Sequence, residues 1–161
     1  MRYNANPWQS YRQAATKTAT PGQLVLMLFD GALRFLDKAL AGFDLDDPLD
    51  SNLAINNNIL KAQEIIRELN ASLNLEQGGE FAVTMRRLYN FYDLQLSQSN
   101  LKKDPAGVQL VIRLLSVIRG AWAEMLTGRS AHATETSTLD AQSVTPHLRG
   151  QFESRLALQA A

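Results

Sequence analysis

The chain has 161 residues, 45% of them apolar, and sixteen basic side chains balance sixteen acidic ones. That length and apolar fraction fit one domain with a substantial core, and the neutral balance argues against a nucleic-acid binder, which carries a basic excess or stripe. With no cysteine there is no disulfide framework and no thiolate site.

The N-terminal stretch "MRYNANPWQSYRQ" has no apolar segment of the kind a signal peptide needs. No uninterrupted apolar run reaches the roughly 18 residues of a membrane span, so no insertion is expected and a cytoplasmic location fits. Residues 1–19 are polar and helix-poor, yet they hold Trp8 and Tyr11. Next comes "TPGQLVLMLFDGALRFLDKALAGF", a helical pattern with Thr20 as N-cap, Pro21 at the first helical position and Gln23 placed for a capping box. Inside it, Asp30 has Arg34 four residues on, the spacing of an ordinary ion pair. Gly31 weakens the helix unless another segment approaches closely there.

The second pattern, "DPLDSNLAINNNILKAQEIIRELNASL", is capped by Asp47 or Asp50. Ile55, Ile59, Ala62, Ile66, Leu69 and Leu73 recur on one face and predict a core seam, with Asn58 near the middle of that face and Ile65 at its edge. A buried Asn58 needs a hydrogen-bond partner. After Gly78-Gly79, "GGEFAVTMRRLYNFYDLQLSQSNLKK" puts Phe81, Met85, Leu88, Tyr92 and Leu96 on one side and Val83, Phe91, Leu94 and Leu101 off it. The fourth pattern starts at Asp104-Pro105. Val108, Val111, Leu115, Ile118, Trp122 and Met125 form one seam, and Leu110, Leu114, Val117 and Ala121 form a second beside it. The two seams cover about 200°, roughly twice what one core face needs. Short connections make successive helices antiparallel. The expected fold is all-α, an antiparallel up-down four-helix bundle over 20–127, with residues 1–19 packed on it as a lid and 128–161 as a Ser/Thr-rich linker and weak amphipathic tail. In that tail Leu148, Phe152 and Leu156 are spaced by four.

Catalytic chemistry is hard to assemble from these residues. Both histidines, His132 and His147, lie beyond 20–127, so neither a Glu-x-x-His metal site nor a His-based nucleophile pair can be built there. No phosphate-binding loop is present. The expectation is a protein without enzyme activity, cofactor or metal. The surplus apolar surface then reads as a partner site, with Trp8 and Tyr11 as a lid over it.

The segments "NPWQSYRQ", "TATPGQLVLMLFDGALRFL", "KAQEIIRELNASLNLEQGGE" and "NLKKDPAGVQLVIRLLSVIRGAWAEM" resemble the FliS family of flagellar secretion chaperones, over about Tyr3 to Met125. Trp8 and Phe29 stand where the family often has Tyr, and residues after Gly128 lie outside the resemblance. The resemblance implies an antiparallel helical bundle around which the C-terminal segment of flagellin wraps. The chaperone prevents premature polymerisation and delivers its client to the flagellar type III export apparatus, with the membrane protein FlhA as docking partner of the loaded complex. No nucleotide or metal is implied. The expected flagellin groove comprises Asn58, Ile65, Phe91, Leu94, Leu110, Leu114, Val117 and Ala121. The competing class is a helical-bundle adaptor that uses the extra apolar surface to oligomerise, as in a weak homodimer, or to hold another helical partner.

Overall fold

A computed structural model describes residues 19–135. Trp8, Tyr11, Leu148, Phe152 and Leu156, and with them the expected lid and amphipathic tail, lie outside the described residues. Four helices follow in order: α1 (Pro21–Gly42), α2 (Pro48–Ala71), α3 (Gly79–Lys102) and α4 (Pro105–Glu135). No strand occurs among the described residues.

Helices α1, α2 and α4 begin where a side chain satisfies the first amides. At α1 the capping box is formed: Thr20 N donates to Gln23 Oε1 at 2.9 Å, and Gln23 N donates to Thr20 Oγ1 at 3.3 Å. Asp47 caps α2 by accepting from Leu49 N and Asp50 N, both at 2.9 Å, with Pro48 next to it. The turn into α3 uses Asn74 Oδ1, which accepts from Glu76 N and Gln77 N, and Gly79 supplies a positive φ of 53°. Before α4, Lys103 takes the left-handed conformation and Asp104 Oδ1 accepts from Ala106 N at 3.0 Å.

The chain divides into two compact units, Leu26–Met125 and a second made of Met1–Val25 with Leu126–Ala161. The first contains the bundle core. Its helix neighbours are fixed by named contacts. α1 meets α2 where Lys61 Nζ lies 5.4 Å over the Phe35 ring, and where a Cβ on Gly42 would fall 3.1 Å from Ala54 Cβ. α2 meets α3 through a polar ladder. Asn100 Nδ2 donates to Asn56 Oδ1 at 2.9 Å and Asn70 Nδ2 to Asn90 Oδ1 at 2.8 Å. Between these, Gln63 Nε2 donates to Asp93 O, Asp93 Oδ1 and Ser97 Oγ. α3 meets α4 where Val108 N donates to Ser99 Oγ. α4 closes the ring on α1 through Arg119 and Asp30, 2.7 Å apart, and through Phe29 edge-on to Trp122, with centroids 6.4 Å apart. Residue numbers rise on one helix as they fall on its partner, so the bundle is antiparallel. α2 and α4 are diagonal in it.

The core of this unit is apolar and periodic. α1 contributes Leu28, Phe29, Ala32, Leu36 and Ala39; α2 contributes Ile55, Ile59, Ala62, Ile65, Ile66 and Leu69. Met85, Tyr89, Tyr92 and Leu96 come from α3, and Val108, Val111 and Leu115 from α4. Several sequence expectations need correction. Ile65 is only 1% exposed, so it sits in the core and not at a surface edge: the inward arc of α2 is wide enough to take both Ile65 and Ile66. Phe81, placed on the inner side of α3, is 62% exposed, whereas its neighbour Ala82 is buried at 2% exposure, so the inward arc of α3 at that end is turned past Phe81. Leu73 is only half-buried, since α2 has ended at Ala71. Asp30 pairs with Arg119 across the bundle, a partner beyond the i+4 neighbour Arg34 that the sequence suggested. α4 runs on to Glu135 and includes His132, past the expected linker start at Gly128.

Candidate functional site

Helix α4 has two apolar faces, and the bundle uses one. Val108, Val111 and Leu115 are fully buried, and Ile118 and Trp122 are half-buried behind them. The neighbouring stripe points away. Leu114 is 36% and Val117 71% exposed; Ala121 is exposed and Leu110 half-buried. Their 4-3-4 spacing keeps these four residues on one side of the helix. From Pro105 to Gly128, α4 is long and apolar enough to cross a membrane by length and composition alone. The sequence expectation of no spanning segment counted uninterrupted apolar residues and so passed over this window, which Arg113 and Arg119 interrupt. A helix with an inner and an outer apolar face meets the same composition test as a membrane span.

The outer face is held at a fixed rotation. Arg119 Nε donates to Asp30 Oδ1 at 2.7 Å and Arg119 Nη2 to Asp30 Oδ2 at 3.3 Å, a two-pronged pair between α4 and α1. The hydrogen bond to Asp30, and then its charge, hold the Arg119 guanidinium above its already high ordinary value, so it stays charged. At the other end a Cβ on Gly107 would stand 2.8 Å from Gln95 O and 2.9 Å from Ser99 Oγ. Only glycine lets α4 approach α3 this closely.

The remaining expected site residues fall elsewhere. Phe91 (38% exposed) and Leu94 (54%) form a separate apolar patch on α3, with the Phe91 ring packed edge-on to Tyr92 at 6.1 Å. Asn58 is half-buried, and its Nδ2 donates to Ala54 O one turn back on its own helix. With Ile65 in the core and α2 diagonal to α4, Asn58 and Ile65 do not border the α4 stripe. Sequence reasoning also passed over a set of exposed leucines on α2: Leu49, Leu53 and Leu60. Their 4-7 spacing, off the Ile seam, was the available signal. Among the described residues no group of His, Asp and Glu is arranged to hold a metal ion.

A model of the family described as "Flagellar protein FliS" matches residues 4–129. The chain is 36% identical over 121 residues to the flagellar secretion chaperone FliS of Bacillus subtilis, covering 75% of this chain and 86% of the relative. It is 35% identical over 128 residues to the protein of the same name from Salmonella typhimurium, covering 76% and 92%. A third relative, from Vibrio cholerae, is 30% identical over 122 residues, covering 73% of this chain and 86% of its own length.

Proposed function

This chain belongs to the FliS family of flagellar secretion chaperones, and we propose that its client is the C-terminal segment of flagellin, held in the cytoplasm until export. The observation that carries this reading is the unused apolar face of α4, with Leu110, Leu114, Val117 and Ala121 in one stripe beside a complete core. An exposed surface of that kind meets a partner. An unfolded client segment suits it, because such a segment lays alternate apolar residues along a long surface and loses ordering entropy, so the complex stays releasable. Phe91 and Leu94 on α3 extend the surface along which the client runs. Covering the client's own assembly residues keeps it from polymerising, and the loaded complex is then presented to the type III export apparatus, where FlhA is the docking partner. The reading requires no catalytic step, and the named relatives are chaperones.

The test is co-expression with flagellin followed by size-exclusion chromatography. The expected result is a soluble complex of one chain with one flagellin, absent when flagellin lacks its C-terminal segment. A chain that self-associates through α4 and leaves flagellin unbound would overturn the proposal in favour of an oligomerising bundle.

A further inference from the structure

Leu49, Leu53 and Leu60 are 66%, 50% and 48% exposed on the outer side of α2. At 100° per residue they fall within about 40° of one another and well away from the Ile55, Ile59 and Ile66 side. Leu45, just before the helix, is exposed as well. This apolar stripe lies in an acidic setting. Asp44, Asp46, Asp47 and Asp50 all occur between residues 39 and 60, and no Lys, Arg or His does. Asp47 spends one carboxylate oxygen on the helix cap; Asp44, Asp46 and Asp50 are exposed. The two lysines that flank this stretch turn to another group: Lys38 Nζ and Lys61 Nζ lie 5.7 Å and 5.4 Å from the Phe35 ring centroid.

We propose that the stripe of Leu49, Leu53 and Leu60, with its bordering aspartates, is a docking surface for a basic amphipathic helix of a second protein. The stripe spans about 16 Å, three helical turns. A partner helix with apolar residues at matching spacing would cover the leucines, and Lys or Arg on its flank would face Asp44, Asp46 and Asp50. A second copy of this chain, packed with its two-fold axis along α2, would set the same carboxylates against each other. α2 lies diagonally across the bundle from α4, and the outward faces of these two helices point away from each other. The surface is therefore independent of the proposed client face and can be occupied together with it.

The experiment uses the isotopically labelled full chain and two synthetic helical peptides of about 18 residues, identical in their leucine stripe but flanked by Lys in one and by Glu in the other. The Lys-flanked peptide is expected to shift the amide resonances of residues 44–60 and to bind at least about tenfold more tightly than the Glu-flanked one, with affinity falling as salt is raised. A Leu49→Lys, Leu53→Lys double variant should lose at least about tenfold in affinity for the Lys-flanked peptide. An Asp46→Lys, Asp50→Lys variant, which keeps every leucine, should lose the preference between the two peptides. Shifts confined to residues 110–121, equal binding of both peptides by the parent chain, or unchanged binding by both variants would overturn the proposal. So would concentration-dependent shifts at 44–60 without peptide, which would make a second copy the occupant.

Discussion

Leu114 and Leu115 are adjacent in sequence and opposite in role, which makes them a matched pair for testing the two-faced reading of α4. Leu115 is 0% exposed and Leu114 36%. Truncating Leu115 to Ala removes buried methyl groups and leaves a cavity in the core, which costs about 2–5 kcal/mol. For a folded unit of this size each kcal/mol lowers Tm by about 4–8 °C, so Leu115→Ala should melt at least about 8 °C below the parent. Leu114→Glu places a charge where water already reaches, so its melt should stay within a few degrees. Its effect should fall on binding instead: a client that covers the exposed third of Leu114 gains about 0.5–1 kcal/mol there, roughly 2- to 6-fold in Kd, and the cost of desolvating the new carboxylate adds to that loss. The assay pairs thermal unfolding followed by circular dichroism with titration of a labelled peptide from the C-terminal segment of flagellin. Leu114→Glu melting as low as Leu115→Ala would place Leu114 in the core. Leu114→Glu binding the peptide like the parent would remove it from the client face.

Further outcomes follow from the core. Gln63→Ala should cost about 2–4 kcal/mol in urea unfolding, because it opens a cavity and strips Asp93 and Ser97 of a buried donor. Burial raises the pKa of the Tyr89 hydroxyl well above its ordinary value, with a smaller push from Tyr92. The stability this contributes is fully present below the unfolded value of about 10 and is lost as pH rises from there toward the folded value, so urea melts should weaken above about pH 10 and Tyr89→Phe should flatten that slope. Gly107→Ala should cost about 1–3 kcal/mol, because its new methyl group meets Gln95 O and Ser99 Oγ and forces α4 off α3. A Gly107→Ala protein with unchanged melting would show that the close approach is not required.

The parts of the fold that were legible in the sequence are those set by short-range chemistry. Thr20, Pro21 and Gln23 specify the start of α1 among themselves, and the Ile seam of α2 is a one-helix periodicity. The apolar excess of α4 was also readable, because counting a helix's apolar arc needs no partner. What could not be read was which neighbour each side chain meets. Arg34 and Arg119 are equally good bases for Asp30, and only the antiparallel packing of α4 on α1 brings Arg119 to 2.7 Å. Ile65 and Ile66 differ by 100° on the wheel; both are buried because α2 touches α1 on one side and α3 on the other, and a single-helix pattern does not contain that second contact. Phe81 shows the reverse case: it sits at the edge of the α3 seam, and the bundle takes its neighbour Ala82 instead.

A helix with two apolar faces raises a question that a helix with one does not: what prevents it from turning the wrong face inward? Hydrophobic burial alone does not decide, since leucines and valines line both sides of α4 and burial is non-directional. The decision rests on small and polar groups that tolerate one rotation only. Gly107 lets the backbone of α4 approach Gln95 and Ser99 at the α3 end, and Val108 N finds Ser99 Oγ there. Just over three turns further along, Arg119 reaches Asp30 with two hydrogen bonds. Turning α4 by about 100° would put Leu114 in place of Leu115, but it would also break the Arg119 pair and set a side chain against Gln95 O. The α2–α3 pair obeys the same logic, with Asn56, Gln63 and Asn70 fixing the register that its apolar contacts would leave loose. Polar specification of the packing thus lets this bundle carry a spare apolar face without collapsing onto it, and a protein that must keep such a face open for a partner depends on that arrangement.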